Sequence, residues 1–344
     1  MRPETTAWRL PSAAAFLEEI EVALERGVAV VPEDVAMPFG MEAAVETALA
    51  KREWHIERAR PSPSDGPAAA VADPFGAVQS VEGLLATTSL IDHVVVLDLS
   101  GVPVTKGDGW QIFLQRFHRQ RKRQTSGLGI LVKGAPAQWA KEAGLPLFAW
   151  GDRLRRLDVT IWADLHAPTE RPEPLASLAA ALAVELCAWR LDLAAAIAQA
   201  RKEDLFEPIE WLRRRDEVPL EEKRHFGRPD VHCPLELLSR GLFTELESRV
   251  WRAQLTAFFP WLEEQRLGLV RKHRSKLRID EHLQSLGAKD AEDIELGPMS
   301  WQLRGRLPAS EADLLHCLAR IRNSLAHRRP AGGRDLDEAI KRAK

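Results

Sequence analysis

Apolar positions change their period about halfway along the chain. In the first half, short continuous apolar runs alternate with amphipathic stretches. Val28-Ala29-Val30-Val31-Pro32, His93-Val94-Val95-Val96-Leu97-Asp98-Leu99-Ser100 and Gly129-Ile130-Leu131-Val132-Lys133 are short, mostly continuous apolar runs, the pattern of strands buried on both faces. Trp54-His55-Ile56 and residues 145–150 and 157–162 read as further strands. Helices are expected from Ser12 to about Arg26, from Met41 to about Arg52, and over residues 75–88, 108–123 and 135–143. Residues 59–73, rich in Pro, Ser, Gly and Ala, read as a loop. Alternating β and α elements predict a mostly parallel sheet with helices on both faces.

The second half is patterned for helices throughout. Residues 175–202 read as one Ala/Leu helix and 205–215 as a shorter one. A further helical run spans 235–246 and then 246–267, with Val250, Trp251, Gln254, Leu255, Phe258 and Leu262 inward and Pro260 as a kink. The last strong stripe is Leu314, Leu318, Ile321 and Leu325, opened by Ser310 as N-cap and stopped by Pro330 and Gly332-Gly333. The link at 170–174 and the charged tract at 213–228, with Pro219, Gly227 and Pro229, give the boundaries. The expected domains are therefore an α/β domain at 1–169, a helical appendage at 170–229 and an all-α domain at 230–344.

Candidate chemistry gathers at the end of the last stripe, in Ile321-Arg322-Asn323-Ser324-Leu325-Ala326-His327-Arg328-Arg329-Pro330. Asn323 and His327 share a helix face, and Arg322 lies beside Asn323. Asn323 is the only asparagine among 344 residues, so its place inside this motif is suggestive. Arginine, an amide and an imidazole suit metal-free RNA cleavage, in which a 2′-hydroxyl attacks the adjacent phosphorus. His327 would transfer protons near neutral pH, Arg322 would stabilise the phosphorane with its planar fork, and Asn323 would orient the imidazole or the phosphate. The basic residues Arg266, Arg271, Lys272, Arg274, Arg328 and Arg329 are candidate RNA contacts.

The motif resembles the R-x4-6-H signature of the HEPN superfamily, all-α domains found in ribonucleases, toxins and nucleotide-binding proteins. Arg322, Asn323 and His327 match the Arg, polar residue and His of that pattern, and the likeness extends loosely over residues 242–330. It implies a homodimer with a composite site, which suits a motif whose Arg and His lie about 140° apart on one helix. It also implies an RNase of the kind used as toxin or anti-phage effector, or else a non-catalytic adaptor that dimerises and binds a partner protein or nucleic acid.

The first half resembles, by layout alone, a P-loop ATPase core whose Walker A has decayed. Gly40 opens a helix after the first strand, but Met41 and Glu42 stand where Lys and Ser or Thr belong. Asp98 is either a Walker B acid or the ordinary acid at the end of a parallel strand. No cofactor is expected.

Composition narrows the partner. A net charge of −2 excludes a protein that coats nucleic acid generally, so any RNA site must be a local patch. Three dispersed cysteines, Cys187, Cys233 and Cys317, form neither a disulfide framework nor a metal spacing. No signal peptide or membrane span is read, and a cytoplasmic location is expected.

Overall fold

Three apolar runs become three neighbouring strands of a four-stranded parallel sheet. The strands are Val28–Val31 (β1), His55–Ala59 (β2), His93–Asp98 (β3) and Gly129–Lys133 (β4), in the order β1-β4-β3-β2. All of β1 and the middles of β3 and β4 are buried, because helices cover both faces of a parallel sheet. At the edge, β2 leaves His55, Glu57 and Arg58 exposed. Residues 145–150 form no ladder; a single parallel bridge joins Leu147 to Val30 on the free side of β1. The computed structural model describes residues 7–34, 36–59, 61, 66–105, 107–221, 223–227 and 231–343.

The chain divides into two units between Leu154 and Arg155. Among the described residues the first holds the sheet and the helices Pro11–Glu25 (α1), Met41–Ala50 (α2), Pro67–Ala72 (α3), Val81–Ala86 (α4), Gly109–Arg121 (α5) and Ala137–Glu142 (α6). The start of α1 is set by Pro11 at its first turn, and Leu10 rather than Ser12 stands at the cap. Asp108 caps α5 by accepting from the Gln111 N–H at 2.7 Å. The loop expected at 59–73 ends in α3, opened by Pro67, while 60 and 62–65 lie outside the described residues. Between 75 and 88 only α4 is α-helical.

Among the described residues the regular structure of the second unit is helical apart from a two-residue antiparallel pair, Lys223–Arg224 (β5) and Val231–His232 (β6). Its helices are Arg156–His166 (α7), Leu175–Leu182 (α8), Leu191–Ala198 (α9), Lys202–Phe206 (α10), Pro208–Arg213 (α11), Pro234–Ser239 (α12), Phe243–His273 (α13), Glu281–Ser285 (α14), Leu296–Gln302 (α15), Ala309–Ala326 (α16) and Gly333–Arg342 (α17). Residues 170–229, expected as a separate appendage, fold within this unit, and α8 packs along α13. Of the tract read as a boundary, Glu222, Arg228 and Pro229 lie outside the described residues.

Two expectations are corrected here. Residues 157–162 are not a strand but part of α7. Val159, Trp162 and Ala163 are its buried positions, a helical spacing, and Asp158 reaches back to accept from the Arg155 N–H at 2.7 Å. The single helix expected at 175–202 is broken by a π turn at Ala183–Cys187 and by Ala188 in a left-handed conformation (φ 54°). By contrast, α13 runs unbroken through the exposed Pro260. Among the described residues no helix is long and apolar enough to cross a membrane.

Candidate functional site

The stripe Leu314, Leu318, Ile321 and Leu325 buries α16 as its spacing predicts. The helix begins earlier than expected, at Ala309 after Pro308, and Ser310 does not cap it. Its other end is a tight corner. His327 is the C-cap and its N–H donates to the Asn323 carbonyl at 3.0 Å. The Arg328 N–H donates to the Leu325 carbonyl (3.2 Å) and the Arg329 N–H to the Ser324 carbonyl (3.0 Å). These two bonds are the Schellman closure, which places the residue after the cap in the left-handed region. That residue is Arg328, at φ 58°, where glycine would sit without strain.

The corner is braced from α13. The Trp251 indole N–H donates to the Leu325 carbonyl at 2.7 Å. Gln254, only 1 % exposed, grips both backbone groups of Ala331: its amide NH2 donates to the carbonyl (3.2 Å) and its oxygen accepts from the N–H (2.7 Å). The helical period puts Trp251 and Gln254 inward. Their partners, some 75 residues away, left no local signal.

On this scaffold Asn323, His327, Arg328 and Arg329 are exposed, and their side chains have no hydrogen-bond or ion-pair partner among the described residues. Arg322 is half-buried, 39 % exposed, and its guanidinium donates to Glu295 at 3.3 Å. Glu295, at the start of α15, is a site residue that sequence reasoning missed, since only the turn between α14 and α16 brings it to the motif.

The basic tract separates into two groups. Arg266, expected to contact RNA, is buried and structural: it pairs with Glu263 (2.8 Å) and donates to the carbonyls of Glu292 (2.5 Å) and Ile294 (3.0 Å). A buried guanidinium with four of its five donors already engaged inside the fold is poorly placed to hold a phosphate. Lys272 is matched by Glu311 at 2.6 Å, whose other oxygen meets the His273 ring at 2.6 Å. The Lys272 hydrogen bond holds the Glu311 carboxyl below its ordinary range against some burial, and His273 adds to it. Arg274 lies 3.9 Å from Glu292, a loose pair, and Arg271 is exposed and unpaired among the described residues.

A second constellation lies at the C-terminal ends of the strands in the first unit. Lys133, ending β4, sits 2.9 Å from Glu42 at the start of α2 and 3.4 Å from Asp98 at the end of β3. Burial pushes the Glu42 and Asp98 carboxyls up. Hydrogen bonds and charge from Lys133, with Arg58 for Glu42 and Ser100 for Asp98, outweigh that and hold both below their ordinary values. Burial likewise works against the Lys133 charge, but Glu42 and Asp98 raise its pKa overall. A cleft of about 550 Å³ opens beside this trio, lined by Glu33, Phe39, Gly40, Met41 and Ser100 among others. Among the described residues no three His, Cys, Asp or Glu side chains are grouped to hold a metal ion, and all three cysteines are buried and free. No family model matches the chain, and no curated protein is found to be similar to it.

Proposed function

We propose that the second unit is a HEPN-like domain acting as a metal-independent RNA endonuclease in a homodimer. The observation that carries this reading is the state of His327. Its imidazole is exposed, and unpartnered among the described residues, at a helix end that Trp251 and Gln254 hold fixed. A structural histidine would be satisfied; one kept free on a braced corner is free to exchange protons.

In this mechanism the 2′-hydroxyl of the substrate attacks the adjacent phosphorus. The His327 imidazole takes the hydroxyl proton as the new P–O bond forms. The 5′-oxygen leaves with a proton returned from the histidine of one or the other copy. Arg322 and Arg328 stabilise the doubly charged phosphorane. Products are a 2′,3′-cyclic phosphate and a 5′-hydroxyl. Because Arg322 and His327 leave one helix in different directions, two motifs related by a two-fold axis supply the full set. The first unit, a P-loop-like core with an internal Lys133 ion pair, restrains or places the nuclease without hydrolysing nucleotide. That arrangement suits a toxin or an anti-phage effector.

The Arg322–Glu295 pair favours a second reading, a dimerising adaptor in which the arginine is a structural cation. Incubating purified full-length protein with total RNA in EDTA separates the two. The nuclease reading requires cyclic-phosphate products that disappear in His327→Ala. Identical RNA profiles with and without wild-type protein would leave the adaptor.

A further inference from the structure

A pocket of about 410 Å³ lies between the end of α15 and the first half of α16. Its size falls within the range of about 300–1,000 Å³ typical of small-molecule sites. Trp301 forms one wall and is 74 % exposed. Ser300, Arg304 and His316 supply its polar groups, and Leu315 its floor. Among the described residues no carboxylate lines it. Arg304 and His316 are exposed, and their side chains have no hydrogen-bond or ion-pair partner among the described residues.

We propose that this pocket binds an unstacked base of single-stranded RNA further along the strand from the scissile phosphate, with Trp301 as the stacking platform and Arg304 on the backbone. The proposal rests on the nuclease reading for its purpose, but not for its chemistry. An exposed indole beside an unpaired guanidinium, with no negative charge facing it, complements a flat ring carrying a phosphate. Position supports the same ligand. Glu295, which pairs with Arg322, occupies the N-cap position of α15 without a side-chain capping bond, and Trp301 lies six residues further on, about 9 Å along the axis at 1.5 Å per residue. His316 and Arg322 are six residues apart on α16, about 9 Å along its axis and about 120° round it. At about 100° per residue, Asn323 and His327 lie roughly 20° to either side of His316 and about 10 and 16 Å further along the axis, so the pocket shares one edge of α16 with these two motif residues. A strand lying along that edge spans both His327 and the pocket that Trp301 walls.

The test uses full-length protein and a short single-stranded RNA carrying 2′-O-methyl groups, which cannot be cut, with binding read by fluorescence anisotropy. Trp301→Ala should weaken binding about tenfold, the scale of one lost base stack. Trp301→Phe should keep most of the affinity, and Arg304→Gln should weaken it and flatten its salt dependence. Duplex RNA should bind Trp301→Ala and wild type alike. The exposed position makes misfolding a minor concern, and thermal melting of each variant checks it. Wild-type affinity in Trp301→Ala, or no binding by the wild type, overturns the proposal. So does a change in oligomeric state of Trp301→Ala by light scattering, which would make this face a contact between copies. Cleavage by wild type with Trp301-independent binding removes the subsite and leaves the nuclease. Trp301-dependent binding without any cleavage removes the nuclease and leaves the subsite.

Discussion

Gln254 and Ala331 form a two-way bond, side-chain amide to peptide, that ties the segment after the motif to the middle of α13. Gln254→Leu leaves a buried N–H and a buried carbonyl without partners, at about 1–3 kcal/mol each. The expected result is a lower denaturation midpoint with an unchanged m-value, together with lost RNA cleavage, although Gln254 touches no RNA. Urea titration followed by circular dichroism checks the first part. Wild-type stability in this variant would show that the corner holds itself.

The motif residues should separate by role. His327→Ala removes proton transfer, about 10²–10⁴-fold in rate. Arg322→Ala removes phosphorane stabilisation, on the order of 10²–10³-fold, and Arg322→Lys recovers only part because an ammonium lacks the planar fork. The double variant should be no worse than the poorer single one, since both act in one transition state. Single-turnover cleavage of an end-labelled RNA reads all four. Equal rates for wild type and His327→Ala would end the mechanism.

Glu295→Gln releases Arg322 from a solvent-exposed pair, so stability should change by no more than about 0.5 kcal/mol. RNA affinity should rise, most visibly at low salt, because a negative charge leaves the phosphate's surroundings. If affinity falls instead, Glu295 positions Arg322 for the substrate rather than competing with it.

Arg266 and Arg271 are five residues apart on α13 and should behave oppositely. Arg266→Ala strips the hydrogen bonds from two carbonyls and a carboxylate and should destabilise by about 3 kcal/mol. Arg271→Ala should melt like wild type and lower the salt dependence of RNA binding by about one counterion. Differential scanning calorimetry and binding isotherms at several salt concentrations give both readouts.

In the first unit the pH dependence has a definite sign. Glu42 and Asp98 titrate below their ordinary values of 4.5 and 3.8, so their contribution is full above those values and disappears as pH falls through the lowered ones. The contribution of Lys133 is full below its ordinary value of 10.5 and fades only above it. Lys133→Met should therefore cost about 2 kcal/mol at neutral pH and much less once pH has fallen below both lowered carboxyl values. Thermal melts across pH test this, and a loss independent of pH would assign Lys133 a packing role.

The sheet strands and the buried stripe of α16 were legible in the sequence because one period dominates each of them. Residues 157–162 were not: a short apolar run fits strand or helix, and the carboxylate of Asp158 folding back on Arg155 decided it. The π turn after Leu182 was hidden by uninterrupted Ala and Leu, whose propensity gives no sign of a break. At the motif, the residue types were legible and the braces were not, since Trp251 and Gln254 read as plain core positions. Arg266 misled because charge in a basic run looks the same whether it faces water or carbonyls.

The left-handed Arg328 bears on what the corner is for. A glycine there would make the same two closing hydrogen bonds and relieve roughly 1 kcal/mol of backbone strain. Folding alone thus favours glycine at this position, and the chain carries arginine next to its free motif imidazole. On the nuclease reading this strain holds a charge at a fixed angle, and Arg328→Gly is then expected to be a better-folded and poorer RNA binder.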